Sequence, residues 1–228
     1  MGVCDRMEQK RKEGASLCLR CVLCLIGMFL YACGVILTKN CDLGISPITS
    51  VAYAMSLISG ISLGWCTSLF NIALFLLQKV LLRSRYTWRT LLAQAVMSIL
   101  FSIFIDSAGV LLGGICPSAY VSRILLFVFG CFVLAAGMNL ILHAKFVVLP
   151  AEGAVTAIQE KSGLSFGTTK IAFDAVMVLM TLGLTIAFLH APKGIREGTV
   201  LAVVLIGNFS RLFTRKGERV KPVPVSEP

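Results

Sequence analysis

The chain has 228 residues, of which 57% are hydrophobic and 14% are charged, and its net charge is +10. A soluble globular domain is typically about 45–50% apolar, so most of this chain has too few polar residues to cover a water-exposed surface. We expect no nucleic-acid partner, because the Lys and Arg residues instead follow the pattern that marks the cytoplasmic loops of membrane proteins.

Long apolar runs dominate the chain after a polar N-terminal arm of mixed charge, residues 1–18. The arm predicts a poorly ordered cytoplasmic segment, as does the basic tail, residues 214–228. Because a helix of about 20 apolar residues crosses a bilayer, the runs predict six transmembrane helices. These lie at about 20–39, 63–82, 90–112, 121–142, 164–189 and 196–213.

Two further apolar segments, at about 47–59 and 150–162, are too short to cross. A helix of 13 residues is roughly 20 Å long, whereas the hydrocarbon core is about 30 Å thick. Ser46 and Pro47 suit the start of the first helix, and Gly60 suits its end. We predict two re-entrant helices, since backbone that leaves the helix at membrane depth must be buried or line a wet cavity.

The chain contains an internal repeat with a period of 103 residues, which divides it into repeat 1, residues 19–113, and repeat 2, residues 121–213. Chance apolar similarity explains matched Leu and Ala, but it does not easily explain matched Pro and Gly in one register. The matched residues include Pro47 with Pro150, and Gly27, Gly34, Gly60 and Gly64 with Gly130, Gly137, Gly163 and Gly167.

The number of spans in each repeat decides the topology. Three spans and a re-entrant helix make the repeats inverted, as in many secondary transporters, whereas four spans make them parallel. Three spans place the N-terminal arm, the basic cluster at 79–89 and the tail in the cytoplasm, as the positive-inside rule requires. The predicted fold is therefore all-α, with six spans, two re-entrant helices, two inverted repeats and both termini cytoplasmic.

The starts of the two short helices are the first candidate site. Each exposes free backbone N–H groups and a partial positive charge, which can hold an anionic group. The alternative is a pair of capped elbows with no ligand. The candidate residues are Ser46, Pro47, Thr49 and Ser50 in repeat 1 and Pro150, Glu152 and Gly153 in repeat 2.

Ionisable residues distinguish the two repeats. At three matched positions, repeat 2 has an ionisable residue where repeat 1 has a neutral one: Glu152 replaces Thr49, Lys170 replaces Thr67 and Asp174 replaces Asn71. The candidate site residues at these positions are Asn71, Glu152, Lys170 and Asp174. Charges inside a membrane are costly and face a partner or a polar path. We expect them to line a cavity for an ion, a proton or a substrate; the alternative is a structural Lys170–Asp174 pair, since an i, i+4 spacing allows direct pairing.

Other polar residues carry weaker predictions. Glu160 and Lys161 are expected in a water-exposed turn, and Asp106 is a secondary candidate that an interfacial position explains equally well. The chain has no metal-spaced cluster and no catalytic motif. We therefore expect no enzyme activity, no metal site and no cofactor; the partners are the lipid bilayer and an unknown small molecule or ion, and a homo-oligomer is left open.

Several short motifs between residues 20 and 213 resemble the YczE/YyaS/YitT family of bacterial integral membrane proteins. They are Leu43-Gly-Ile-Ser-Pro47, Ile61-Ser-Leu-Gly64, Gln94 with Phe104-Ile-Asp106, Leu149-Pro-Ala-Glu-Gly153, Phe166-Gly with Lys170 and Asp174, and Glu197-Gly-Thr199 with Ile206-Gly207. The resemblance implies a multi-pass protein of the bacterial cytoplasmic membrane. It implies no activity, because that family is largely uncharacterised.

Two functions follow from this architecture. The first is a small transporter or permease with a site near the membrane midplane, between the starts of the two short helices. The second is a non-transporting scaffold or accessory protein for another membrane or secretion system. Fold alone does not decide between them.

Overall fold

The computed structural model describes residues 3–83, 88–144, 149–164, 166–191 and 194–213. These residues form eight helices and no strand. The helices are α1 (Val3–Asn40), α2 (Pro47–Ser59), α3 (Leu63–Leu82), α4 (Trp88–Leu112), α5 (Tyr120–Ala144), α6 (Pro150–Ser162), α7 (Phe166–Leu189) and α8 (Glu197–Phe213). The all-α class predicted from the sequence is confirmed.

The N-terminal arm differs most from its prediction. Helix α1 begins at Val3, so residues 3–18 continue into the first apolar helix instead of forming an irregular segment. This stretch contains no proline, and its Met, Glu, Gln and Lys residues favour the helix. The tail, residues 214–228, lies outside the described residues.

The two short helices are built alike. Each has 13 residues with proline in its first turn, and each ends at a glycine in the left-handed region, Gly60 at φ 72° and Gly163 at φ 70°. In both, the glycine N–H donates to a carbonyl four residues back, that of Ser56 or of Gln159. A left-handed residue at this place ends a helix and satisfies its last carbonyls.

Within the described part of the chain, five helices contain stretches long and apolar enough to cross a membrane. These are Cys18–Asn40, Leu63–Leu82, Leu91–Leu112, Tyr120–Ala144 and Thr168–Leu189. The sixth predicted span, α8, has 17 residues and a length of about 26 Å. Its apolar part is as short as a re-entrant segment, so length alone does not make it a span.

Helices α1 and α5 cross at the centre of the protein in opposite directions. A Cβ built on Gly27 would lie 2.9 Å from the Gly137 carbonyl oxygen, and one built on Gly130 would lie 3.0 Å from the Thr38 side chain. Residue numbers therefore rise along α1 as they fall along α5. Glycine allows this approach because it has no Cβ.

Residues that are 103 positions apart make equivalent contacts where α1 and α5 cross. Gly27 faces Leu140 and Ile141, and its equivalent Gly130 faces Leu37 and Thr38, the equivalents of those two residues. Tyr31, which faces Gly137, is likewise the equivalent of Leu134, which faces Gly34. The two helices are thus related by an approximate two-fold rotation, with Tyr31 and Leu134 next to its axis.

The other helices pack in equivalent pairs. The short helix α2 contacts α3 and α7, and α6 contacts α7 and α3; α4 lies on α1 as α8 lies on α5. Each short helix is therefore held between one helix of its own repeat and one of the other. Val51 and Ala52 of α2 and Ala154 and Val155 of α6 belong to one buried apolar cluster, so the N-terminal halves of both short helices meet in a common core.

The loop between α1 and α2 pairs with the loop between α7 and α8. The Ile45 N–H donates to the Gly194 carbonyl at 3.1 Å, and the Gly198 N–H donates to the Leu43 carbonyl at 2.8 Å. Arg196 adds an ion pair with Asp42 at 3.1 Å. These contacts join the repeats at the end of the molecule where α1 finishes.

Candidate functional site

The first turn of α6 is fixed by a buried glutamine from the other repeat. Gln78 of α3 donates from Nε2 to the Pro150 carbonyl at 3.0 Å. A Cβ built on Gly153 would lie 2.6 Å from Gln78 Oε1, so only glycine fits beside it. Gln94 of α4 donates to that same oxygen at 3.4 Å. Gln78 and Gln94 are fully buried. Water therefore cannot take the place of a lost hydrogen-bond partner of either side chain.

The first turn of α2 is held in a corresponding way. The hydroxyl groups of Ser50 and Thr181 lie 2.8 Å apart and are both fully buried. Ser50 also donates to the Pro47 carbonyl at 2.7 Å. Ser46 and Thr49 share a hydrogen bond of 3.2 Å next to this turn. In both short helices, therefore, a polar residue from a long helix of the opposite repeat anchors the start.

A polar seam runs from this region between α3 and α4. Asn71 donates to the Ser98 hydroxyl at 2.8 Å, and Ser68 hydrogen bonds with Ser102 one turn away. A small, mainly apolar cavity adjoins the seam, and Asn71, Gln94 and Pro150 contribute to its wall. The predicted site residues Asn71 and Pro150 thus share one cavity, although they lie in different repeats.

Four residues form what we call the charged cluster: Tyr31, Glu152, Lys170 and Asp174. Lys170 Nζ lies 2.9 Å from Asp174 Oδ1, and the two side chains are 30% and 15% exposed. Glu152, half-buried in the first turn of α6, is attracted by Lys170 and repelled by Asp174. Tyr31 on α1 interacts electrostatically with both carboxylates. Three helices, α1, α6 and α7, therefore bring these groups together beside the two-fold axis.

Asp106 lies apart from the charged cluster and has a structural contact. Its carboxylate accepts hydrogen bonds from the Gly64 N–H at 2.9 Å and from the Ser62 hydroxyl at 2.7 Å. Both donors belong to the first turn of α3, where free N–H groups and the helix dipole favour a carboxylate. This contact accounts for a charged residue at this position in α4 without a ligand.

The remaining predictions divide in the same way. Glu160 and Lys161 are exposed at the end of α6, as the sequence predicts. Among the described residues, no group of three or more metal-binding side chains converges. Cys18 is exposed and Cys24 is buried, so they do not share one environment.

Sequence reasoning missed three residues that the site uses: Tyr31, Gln78 and Thr181. Gln78 could have been noticed as an uncharged polar residue within an apolar span. Thr181 could have been found next, since it lies 103 residues after Gln78. Nothing in the sequence distinguishes Tyr31 from an aromatic residue that packs in a core.

The chain matches a known protein family over most of its length. A family model described as "Family of unknown function (DUF6198)" matches residues 18–215, which includes all eight helices except the first part of α1. No curated protein and no solved structure matches the chain.

Proposed function

We propose that this protein, which belongs to the DUF6198 family of unknown function, is a small membrane transporter with its site between the starts of α2 and α6. The charged cluster is the observation that carries this proposal. Lys170 and Asp174 lie in the otherwise apolar helix α7, and Glu152 lies near them in the first turn of α6. Ionisable groups at such positions are costly, and in membrane proteins they mark the paths of ions and substrates.

The proposed architecture is a pair of inverted repeats. A two-fold axis along the membrane normal relates helices that run in the same direction, whereas an axis in the membrane plane relates helices that run in opposite directions. Helices α1 and α5 are repeat equivalents and run antiparallel, as the contacts of Gly27 and Gly130 indicate. This supports an axis in the membrane plane, the arrangement of many secondary transporters.

Re-entrant short helices fit the same arrangement. Before α2, Asn40 donates to the Leu112 carbonyl at 2.8 Å, and after α2, Ser62 donates to Asp106. Both acceptors are near the end of α4, separated by about 9 Å along that helix. The residues before and after α2 therefore lie at the same end of the helix bundle. This supports α2 as a re-entrant segment, which enters the membrane and returns to the side from which it came.

The proposed orientation has both termini in the cytoplasm of a bacterial cell, with the chain in the cell membrane. The basic residues of the arm, of the α3–α4 region and of the tail then all lie inside. In this orientation α7 begins on the cytoplasmic side, so Lys170 and Asp174 are reached from the cytoplasm. The loops joined by Asp42 and Arg196 lie on the opposite side in this orientation.

A solute screen tests this proposal. The purified protein is heated with a panel of small anions, cations, amino acids and sugars, and its unfolding temperature is recorded. A transported solute should raise that temperature in the wild type and in an Asp42→Asn control, whose carboxylate is exposed in a loop. It should not do so in Asp174→Asn. A solute that stabilises all three proteins equally binds elsewhere and contradicts the proposed site.

The second candidate function is a non-transporting scaffold. The observation in its favour is the dry core that both short helices border, in which Val51, Ala52, Ala154 and Val155 are all at most 1% exposed. A scaffold needs no path through this core. Solute uptake by liposomes that contain the protein separates the two: uptake that Asp174→Asn abolishes supports a transporter, whereas a stable complex with another membrane protein and no uptake supports a scaffold.

A further inference from the structure

We propose that Glu152 reversibly binds one proton, and that Lys170 pairs with Asp174 when Glu152 is protonated and with Glu152 when it is not. This inference rests on the proposed function, because it identifies the coupling ion of the same site. It assigns a different role to each of the three ionic members of the charged cluster: Glu152 carries the proton, Lys170 is the mobile cation and Asp174 is its fixed partner.

The charge balance of the cluster is the first argument. Two carboxylates, Glu152 and Asp174, face one ammonium group, Lys170. With both carboxylates ionised, one negative charge remains without a counter-ion at membrane depth, where an isolated charge is strongly disfavoured. Binding of one further cation, such as a proton, neutralises this unbalanced negative charge.

The geometry indicates which carboxyl group takes that cation. Lys170 is bonded to Asp174 at 2.9 Å, and the two are one turn apart on the same helix. Glu152 lies on α6, whose first turn is held by the fixed side chain of Gln78. Asp174 therefore has its ammonium partner in the observed arrangement, and Glu152 is the carboxyl group whose charge is left over.

The surroundings favour a proton over a metal ion. Lys170 already bonds Asp174 at 2.9 Å, and within the described residues no three metal-binding side chains converge. Around Glu152, α7 presents Lys170 and Asp174, α1 presents the Tyr31 hydroxyl and α3 presents the neutral Gln78, while Lys79 of α3 is exposed. Lys170 is more exposed than Asp174, and it is the closer of the two to the start of α7 at Phe166.

The proposed step conserves charge and atoms. A proton from water adds to the Glu152 carboxylate and gives the neutral acid. The Lys170 ammonium group, which stays protonated, then moves from Glu152 to Asp174, and the net charge of the cluster changes from one negative charge to zero. Release of the proton to water reverses both changes. Because Glu152 is in the first turn of α6, each change alters the charge at the start of that helix.

Only repeat 2 contains the two carboxylates and the ammonium group that the proposed proton exchange requires. The equivalents of Glu152, Lys170 and Asp174 in repeat 1 are Thr49, Thr67 and Asn71, none of which ionises. The protein therefore has one proton site although the fold has two equivalent positions, and the start of α2 keeps the same charge throughout.

Carbodiimide labelling tests the inference directly. N,N′-dicyclohexylcarbodiimide reacts with protonated carboxyl groups in apolar surroundings, and mass spectrometry of the digested protein locates the label. In the wild type, Glu152 should be labelled near neutral pH and should lose labelling as the pH rises. Labelling of Asp174 in place of Glu152, or labelling that does not depend on pH, would overturn the proposal.

Two variants should change this labelling in opposite directions. Asp174→Asn frees Lys170 for Glu152, so labelling of Glu152 should be lost. Lys170→Met removes the cation, so labelling should persist to higher pH. Lys161→Met and Glu160→Gln, which change exposed residues of the same short helix, should leave the wild-type profile intact. Equal profiles in Asp174→Asn and Lys170→Met would refute the exchange of Lys170.

A second measurement covers the case in which a variant does not fold. Infrared difference spectra of the wild type alone should show the C=O stretch of a protonated carboxyl group that disappears at alkaline pH; its absence at neutral pH contradicts the inference. Transport is measured separately, as dissipation of a pH gradient by liposomes that contain the protein. Normal labelling without proton flux would leave the proton site intact and refute only the transporter.

Discussion

Ser50 and Gly153 occupy equivalent positions in the first turns of α2 and α6, and each meets the equivalent position of the opposite repeat. Ser50 shares a hydrogen bond of 2.8 Å with Thr181, while a Cβ on Gly153 would lie 2.6 Å from Gln78 Oε1. Thr181 and Gln78 are themselves 103 residues apart. The larger side chain, that of Gln78, thus faces Gly153, and the smaller one, that of Thr181, faces Ser50. The two contacts fill equivalent spaces with different pairs of residues.

This relationship predicts that the two positions are coupled. Gly153→Ser alone should destabilise the protein by about 1–3 kcal/mol, because the buried Gln78 has no room to move. Gln78→Thr alone should also destabilise it, since the Pro150 carbonyl loses its donor. The double variant, which copies repeat 1, should be more stable than the sum of the two effects by about 0.5–3 kcal/mol. Thermal unfolding of the four proteins measures this coupling, and simple additivity would contradict it.

Asp106 is predicted to stabilise the protein without serving transport. Asp106→Ala removes the acceptor of the Gly64 N–H and of the Ser62 hydroxyl, and it should cost about 1–3 kcal/mol of unfolding free energy. Any solute that stabilises the wild type should stabilise this variant by the same increment. Loss of that increment in a folded Asp106→Ala protein would instead place Asp106 in the site.

The close crossing of α1 and α5 is predicted to depend on Gly34. A Cβ at this position would lie 2.6 Å from the Leu134 Cβ, so Gly34→Ala should push the helices apart and destabilise the protein by about 1–3 kcal/mol. Gly183→Ala is the matched control, because its Cβ would meet nothing within 4 Å. Alanine favours a helix over glycine, so the control should retain or slightly raise the unfolding temperature. Equal effects of the two substitutions would argue against the tight crossing.

Cysteine accessibility is predicted to place both ends of α2 on one side of the membrane. Asp42→Cys precedes α2 and Ile61→Cys follows it, and both positions are exposed. In a background without the native cysteines, an impermeant maleimide should label both from outside intact cells. Glu160→Cys should be labelled only after the cells are opened. Labelling of residue 42 from outside and of residue 61 only from inside would show that α2 crosses the membrane.

Local sequence signals predicted the helix boundaries closely where they were strong. Proline at the start and glycine at the end give α2 and α6 the same bounds in the structure as in the sequence prediction. At the N-terminus the sequence has no such signal, and helix α1 begins already at Val3, within the arm that was expected to be poorly ordered. Polarity marks contact with water, but a polar segment without a helix breaker can still continue a helix.

The site was predicted in part for a similar reason. Charged residues in apolar segments are visible in the sequence, so Glu152, Lys170 and Asp174 could be selected from residue type and position alone. Tyr31 could not, because its role depends on Glu152 of α6 and Asp174 of α7, which are far from it in the chain. Asp106 has the same visible signal as Asp174, yet the structure places it beside the first turn of α3.

The sequence by itself determined that the chain is helical and suited to a membrane, that proline and glycine residues recur 103 residues apart, and that Thr49, Thr67 and Asn71 correspond in this register to the ionisable Glu152, Lys170 and Asp174. These properties depend on composition, spacing and helix-terminal residues, which are all local. Only the tertiary structure decided that α1 and α5 run antiparallel and that Gln78 and Thr181 hold the starts of α6 and α2. Such contacts join residues far apart in the chain, and packing geometry, not local preference, selects them.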